Sequence, residues 1–190
     1  MTSGRVVTGR VAAAGLSAAT PGMHRVRRPE DDRGPAFDLT YVRTGPRTAA
    51  PVVVIPGGPG LGSVLPYRGL RRRAARLGPD LIMVEHRGVG LSRRDLRGRD
   101  LPGSAMRVTA VVDDIAAVLD REGVPSAHIV GSSYGSYVAA TFGALHPGRV
   151  VGMILDSALQ SATDLPAERR MVRSLFWDAD TAIAADVRRL

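Results

Sequence analysis

An α/β fold built on a mostly parallel, doubly wound sheet is predicted for this 190-residue chain. Three observations predict it. From residue 52 onward, short apolar runs alternate with segments of helical periodicity. Each apolar run is bounded by glycine, proline or polar residues, the pattern of a strand buried on both faces. A serine between two glycines, "GSSYG" at 131–135, sits where one such run passes into a helix.

In chain order, "FDLTYVRTG" alternates and predicts a strand ending at Gly45. "PVVVI" predicts a buried strand near 52–56. Leu70, Ala74 and Leu77 have helical spacing within about 66–77. "DLIMVEH" predicts a second buried strand near 81–85, and the polar stretch 91–104 a surface loop. "AMRVTAVVDDIAAVLDREG" is an amphipathic helix closed by Gly123 and Pro125. A third parallel strand is expected at 127–131, a helix from 135 to Pro147, and a fourth strand at 151–156. From Pro166 to Leu190 the pattern is helical and arginine-rich. Residues 1–22 hold a short alanine-rich run interrupted by Arg10, which predicts a frayed or strand-like start rather than an export leader. A cytoplasmic chain is therefore expected.

The formal charge is +8, and all 26 basic residues are arginine. They are dispersed, and three Phe, four Tyr and one Trp are too few for a base-stacking platform, so nucleic-acid binding is not expected. There is no cysteine, which excludes disulfides and thiolate metal sites. No apolar run reaches the length of a bilayer-spanning helix. No cofactor and no metal are expected, and the partner is expected to be a small molecule or short peptide.

The chemistry concentrates at Gly131-Ser132-Ser133-Tyr134-Gly135. Set on a sharp strand-to-helix turn, G-x-S-x-G presents its central serine at the carboxyl edge of the sheet. The helix N-terminus beneath it favours developing negative charge. The plainer alternative is a helix cap, with Ser132 or Ser133 satisfying free amides. A nucleophilic serine also needs backbone N–H donors aimed at the tetrahedral oxygen. Tyr134 supplies one, and Gly58 (or its neighbour Gly57), in the "GGPG" loop after the first buried strand, supplies the other.

These motifs resemble the α/β-hydrolase superfamily, and within it the proline iminopeptidase-like branch of prolyl and tripeptidyl aminopeptidases. That branch carries H-G-G-P-G after its third strand, D-Q-R-G-x-G-x-S after its fourth, and G-x-S-x-G at the elbow. Here the matching residues are Pro56-Gly57-Gly58-Pro59-Gly60, then Glu85-His86-Arg87-Gly88-Val89-Gly90-Leu91-Ser92, then the elbow. Pro56 replaces the usual histidine, and Glu85-His86 the usual Asp-Gln. Arg87 is expected to brace the loops by ion pairing with Glu85. The resemblance implies a serine hydrolase of aminopeptidase or esterase kind, working through an acyl-enzyme on Ser133. It also implies a core over 1–160 and the start of a helical cap over 161–190, with the fold incomplete at its C-terminus.

The family's triad runs serine, acid, histidine along the chain. Of His24, His86, His128 and His146, only His146 follows the elbow, and about twelve residues of helix, roughly 18 Å, separate it from Ser133. His86 is the one imidazole expected on the serine's rim of the sheet. Asp156, after the next strand, stands where some hydrolases place their acid. Two readings follow: a serine hydrolase, or a catalytically incompetent hydrolase-fold fragment or small-ligand binding protein. A histidine after residue 150 would separate them, and the sequence has none.

Overall fold

The computed structural model describes residues 20–158 and 164–189. The start expected over 1–22 lies mostly outside the described residues. Residues up to Ala158 form one compact unit and residues from Leu159 a second.

The first unit is a six-stranded sheet. Its strands are β1 (Met23–Arg28), β2 (Phe37–Thr44), β3 (Val52–Ile55), β4 (Leu81–Val84), β5 (Ala127–Ser132) and β6 (Val150–Asp156), in the spatial order β1-β2-β4-β3-β5-β6. The four strands expected to be parallel are parallel. β1 and β2 are antiparallel additions on one side. β1 was not legible in the sequence. It is an edge strand with three arginines, and Val26 alone packs on the core.

Among the described residues, three helices cover this sheet: α1 (Arg68–Leu77), α2 (Val108–Arg121) and α3 (Tyr134–Leu145). α2 and α3 close the larger core, where Val112, Ile115, Leu119, Val138 and Phe142 meet Ile129, Val53 and Ile82. Each fully buried aliphatic side chain contributes about 1.5–3 kcal/mol against the entropy of ordering the chain. α2 starts three residues later than its apolar pattern, because Arg107 is extended (φ −67°, ψ 140°) and Gly103–Ala105 forms a separate 3-10 turn.

The expected apolar stripe of α1 is not its buried face. Leu70 and Leu77 are 44% and 72% exposed, while Ala74 and Arg71 point inward. Ala74 packs on Leu81 and Met83. Arg71 donates to the carbonyls of Ser63 and Val64, so the helix places a cation under a loop. The stretch 91–104 is likewise less solvated than expected. The Ser92 hydroxyl accepts the Thr40 N–H at 2.9 Å, and Asp95 is buried and accepts the N–H groups of Arg97 and Arg99.

At the amino end of β4, Asp80 accepts the Arg43 guanidinium (2.5 and 2.9 Å) and the Thr48 N–H (2.7 Å). Arg43 also reaches Glu122 at 3.1 Å. Buried pairs of this kind add little net stability but are costly to break singly. This cluster holds the edge of the sheet opposite to the serine.

The second unit contains α4 (Asp164–Phe176) and α5 (Ala182–Val187), with Thr181 capping the Ala184 N–H at 3.1 Å. No described helix is long and apolar enough to cross a membrane.

Candidate active site

Ser133 stands between β5 and α3 with φ 51° and ψ −121°, a backbone conformation that side chains rarely adopt. The glycines on either side explain how it is held. A Cβ on Gly135 would collide with the carbonyl oxygens of Ile55 and Pro56. A Cβ on Gly131 would strike the Gly135 carbonyl and lie 2.8 Å from Ala139 Cβ. Only hydrogen at both positions lets α3 cross this close over β3 and β5.

The turn is then tied in place. The Ser133 N–H donates to the Asp156 carbonyl (2.9 Å). The Ser133 carbonyl accepts the Ser136 N–H (2.8 Å) and hydroxyl (2.6 Å). The Ser132 hydroxyl donates to Asp156 Oδ2 (2.9 Å), and the Ser157 hydroxyl to Oδ1 (3.3 Å). Neither elbow serine is a helix cap: Ser132 is committed to Asp156, and the Ser133 side chain makes no capping bond. Ser133 is exposed.

The loop after β3 meets this turn from above. Gly57 lies directly against Ser133, since a Cβ built on it would sit 2.8 Å from Ser133 Cβ. Gly58 has φ 77°, and its carbonyl accepts the Leu61 N–H at 3.0 Å, closing a tight turn. Beyond it, the buried Glu85 carboxylate accepts the N–H groups of Ser63 (2.5 Å) and Val64 (2.8 Å), while Arg71 takes their carbonyls. A further contact from the Leu91 N–H at 3.3 Å joins the turn after β4 to the same carboxylate.

The expected Arg87–Glu85 pair does not form. Arg87 makes a two-pronged pair with Asp114 on α2, at 2.7 and 2.8 Å, and lies 5.2 Å from the centre of the Phe37 ring. Glu85 instead answers backbone N–H groups, for which one more methylene than aspartate provides reach. Sequence reasoning gave Glu85 the wrong partner and missed Arg71 and the Ser132–Asp156 bond. An acid directly after an apolar strand, with glycines at 62 and 90 that pack against it, was the available signal for Glu85.

His86 is buried at the end of β4, with its ring edge-on to Tyr134 (centroids 6.3 Å apart, 81° between planes). Neither ring nitrogen has a hydrogen-bond partner among the described residues. Burial lowers its pKa to about 4, so the imidazole is neutral at pH 7. The other imidazoles are placed elsewhere. His146 is 3.6 Å from Asp113 and stacks near Phe142, His24 lies against Tyr41, and His128 is the second residue of β5, beside Gly152. Asp156 is exposed on the serine's rim, engaged with Ser132 and Ser157.

Residues 50–189 match the model of the alpha/beta hydrolase fold family. The chain belongs to this family. Among curated relatives, epoxide hydrolase B of Mycobacterium tuberculosis is 34% identical over 80 residues, 42% of this chain and 21% of that protein. Proline iminopeptidase of Neisseria meningitidis is 29% identical over 120 residues, 62% of this chain and 35% of that protein. The chain thus spans about a fifth to a third of the length of the curated relatives it matches. The crystal structure of epoxide hydrolase A from Mycobacterium thermoresistibile superposes with a TM-score of 0.54 at 25% identity, covering 80% of this chain and 45% of that one. The superfamily expected from the motifs is therefore established. The aminopeptidase branch is not singled out, because an epoxide hydrolase is equally near.

Proposed function

We propose that Ser133 is the nucleophile of a hydrolase acting on ester or amide bonds of small molecules or short peptides. In this reading the Ser133 hydroxyl adds to a carbonyl carbon. The N–H groups of Tyr134 and of Gly58 or Gly57 stabilise the resulting oxyanion, the leaving group departs, and water hydrolyses the acyl-enzyme. The observation that carries the reading is an exposed serine held at φ 51° whose hydroxyl makes no capping bond to the helix it opens. Strain of this size, about 1–3 kcal/mol, persists only where neighbouring structure imposes it.

The named relatives span epoxide opening and iminopeptidase chemistry. The nucleophile separates them. A serine that opened an epoxide would be left as an alkyl ether, which water does not readily cleave. A serine acylated by an ester or amide becomes an ester, which water does cleave. Ser133 therefore favours acyl substrates. Residues 161–190 are proposed as the beginning of a helical cover that selects among them.

Turnover by this chain is proposed to be slow. A hydroxyl without an adjacent base is a weak nucleophile at neutral pH, although oxyanion stabilisation and binding alone retain about 10³–10⁴-fold over water. His86 and Asp156 are the nearest candidates for base and acid. Among the described residues the His86 ring nitrogens have no hydrogen-bond partner, and Asp156 braces Ser132. That same observation favours a second reading, a ligand-binding hydrolase fold without turnover.

Incubation with p-nitrophenyl acetate and a fluorophosphonate, followed by mass spectrometry, tests the proposal. Slow acylation of Ser133, lost in Ser133→Ala, is expected. An equal rate in Ser133→Ala overturns the serine reading. Ligand binding with no acylation favours the second reading. Loss of the rate in His86→Ala, with the fold intact, would make His86 the base.

A further inference from the structure

α1 breaks two local rules at Arg71. The inward face of an amphipathic helix ordinarily carries apolar side chains, yet Arg71 is buried there beside Ala74. A cation in the first turn also opposes the helix dipole, and that turn has no acidic residue to balance it. For stability alone, an apolar side chain of similar volume serves a buried position as well as an ion does. Departures of this kind concentrate where function requires them.

The hydrogen bonds show what the cation does. Helical side chains tilt toward the helix N-terminus, so Arg71 reaches back over the loop that precedes α1. Its Nη1 donates to the carbonyls of Val64 and Ser63, the latter at 3.5 Å. From the other side, Glu85 accepts the N–H groups of Ser63 (2.5 Å) and Val64 (2.8 Å). The peptide unit between Ser63 and Val64 is therefore gripped at both ends, its N–H on the anion and its C=O on the cation. These two groups of a trans peptide point in opposite directions, so the charges stand on opposite sides of the chain. Burial lowers the Arg71 pKa, and the Glu85 charge works against that shift.

A carboxylate alone would leave this peptide free to swing about its N–H bonds. The second charge fixes its plane. Leu61, two residues before Ser63, donates its N–H to the Gly58 carbonyl at 3.0 Å, and Gly57 lies against Ser133. The grip is thus applied at the foot of the turn whose other end meets the serine.

We infer that Arg71 is a positioning residue for the glycine loop over Ser133, gripping with Glu85 the peptide that sets where Gly57 and Gly58 stand. It acts through the loop and takes no part in bond making. The inference rests on the proposed acylation of Ser133 for its effect on rate, and not for the seating of the loop.

Arg71→Met in the full 190-residue chain removes the charge and keeps apolar bulk. Hydrogen exchange followed by NMR should show the Leu61, Ser63 and Val64 amides exchanging about tenfold faster or more, while those of β5 keep the parent's protection. The first-order rate of Ser133 acylation by p-nitrophenyl acetate should fall about tenfold or more, with the half-saturating concentration unchanged. Arg71→Lys keeps the charge and should recover most of both losses. Arg71→Gln keeps a donor without the charge, should recover less, and carries the test if Arg71→Met does not fold. Parent-like exchange of the three amides in the uncharged variants overturns the inference. So does a parent-like acylation rate despite faster exchange, or a rise in exchange that extends equally to β5, which would mark lost stability rather than a lost seat. A parent chain whose acylation is undiminished in Ser133→Ala defeats the serine reading alone, and the exchange of the three amides then decides on Arg71.

Discussion

The Ser132 hydroxyl donates to the Asp156 carboxylate at 2.9 Å, tying the residue before Ser133 to the end of the neighbouring strand. Together with the Ser133 N–H on the Asp156 carbonyl, this makes Asp156 a brace of the elbow. The bond is exposed to solvent, so its coupling should be modest, about 0.5–1.5 kcal/mol. A double-mutant cycle on Ser132→Ala and Asp156→Ala, read by urea denaturation, should return a coupling in that range. Strictly additive effects would show that the bond contributes nothing to the elbow.

Gly135→Ala should be among the most damaging single-methyl additions to the chain. The added carbon meets backbone oxygen of Ile55 and Pro56, which has no rotamer to escape into. A loss of about 3 kcal/mol or more is expected, enough to threaten folding of a marginally stable domain. Gly148→Ala has open space around its new methyl and should change the unfolding midpoint little.

Acid should weaken the protein through His86. Its pKa is about 4 in the folded chain and about 6.5 when unfolded, so between those values the unfolded state binds more protons. The stabilisation is complete above pH 6.5 and is lost as pH falls from 6.5 to 4. The shift corresponds to about 3 kcal/mol. His86→Gln should flatten this part of the profile, and urea midpoints of the two proteins across that window should converge at acid pH. Parallel profiles would show that His86 titrates normally.

Glu85 and Asp114 each answer buried groups, the Arg87 guanidinium keeping only the Ala105 carbonyl (3.2 Å) besides Asp114 among the described residues. Glu85→Ala leaves the Ser63 and Val64 N–H groups unpaired, and Asp114→Ala strands the Arg87 guanidinium. Each should cost about 3–5 kcal/mol. The site separates them. Glu85→Gln, if folded, should slow Ser133 acylation because the glycine loop is less firmly seated. Asp114→Asn should lower stability with little effect on acylation. Equal rates in Glu85→Gln and the parent chain would remove Glu85 from a positioning role.

The parallel strands and the elbow were legible because their signals are local. Apolar runs ending in glycine, and a serine between glycines at 131 and 135, need no knowledge of distant contacts. β1 was not legible because an arginine-rich edge strand owes its existence to β2 rather than to its own pattern. The buried face of α1 was misread for a similar reason. Arg71 turns inward to reach carbonyls eight and seven residues earlier, which periodicity alone cannot reveal. The partner of Arg87 was misassigned because Asp114 is close only after α2 packs on the sheet.

The contact between Gly135 and the Ile55 carbonyl also fixes a mechanical tolerance. Ile55 ends β3, and two residues later Gly57 touches Ser133. The serine turn and the glycine loop are therefore both gauged against the same strand end, although they lie on different strands. Twisting or breathing of the sheet moves them together, as two jaws mounted on one block. The distance between hydroxyl and loop is then insulated from motions of β1 and β2, and is sensitive chiefly to slippage of β3 against β5.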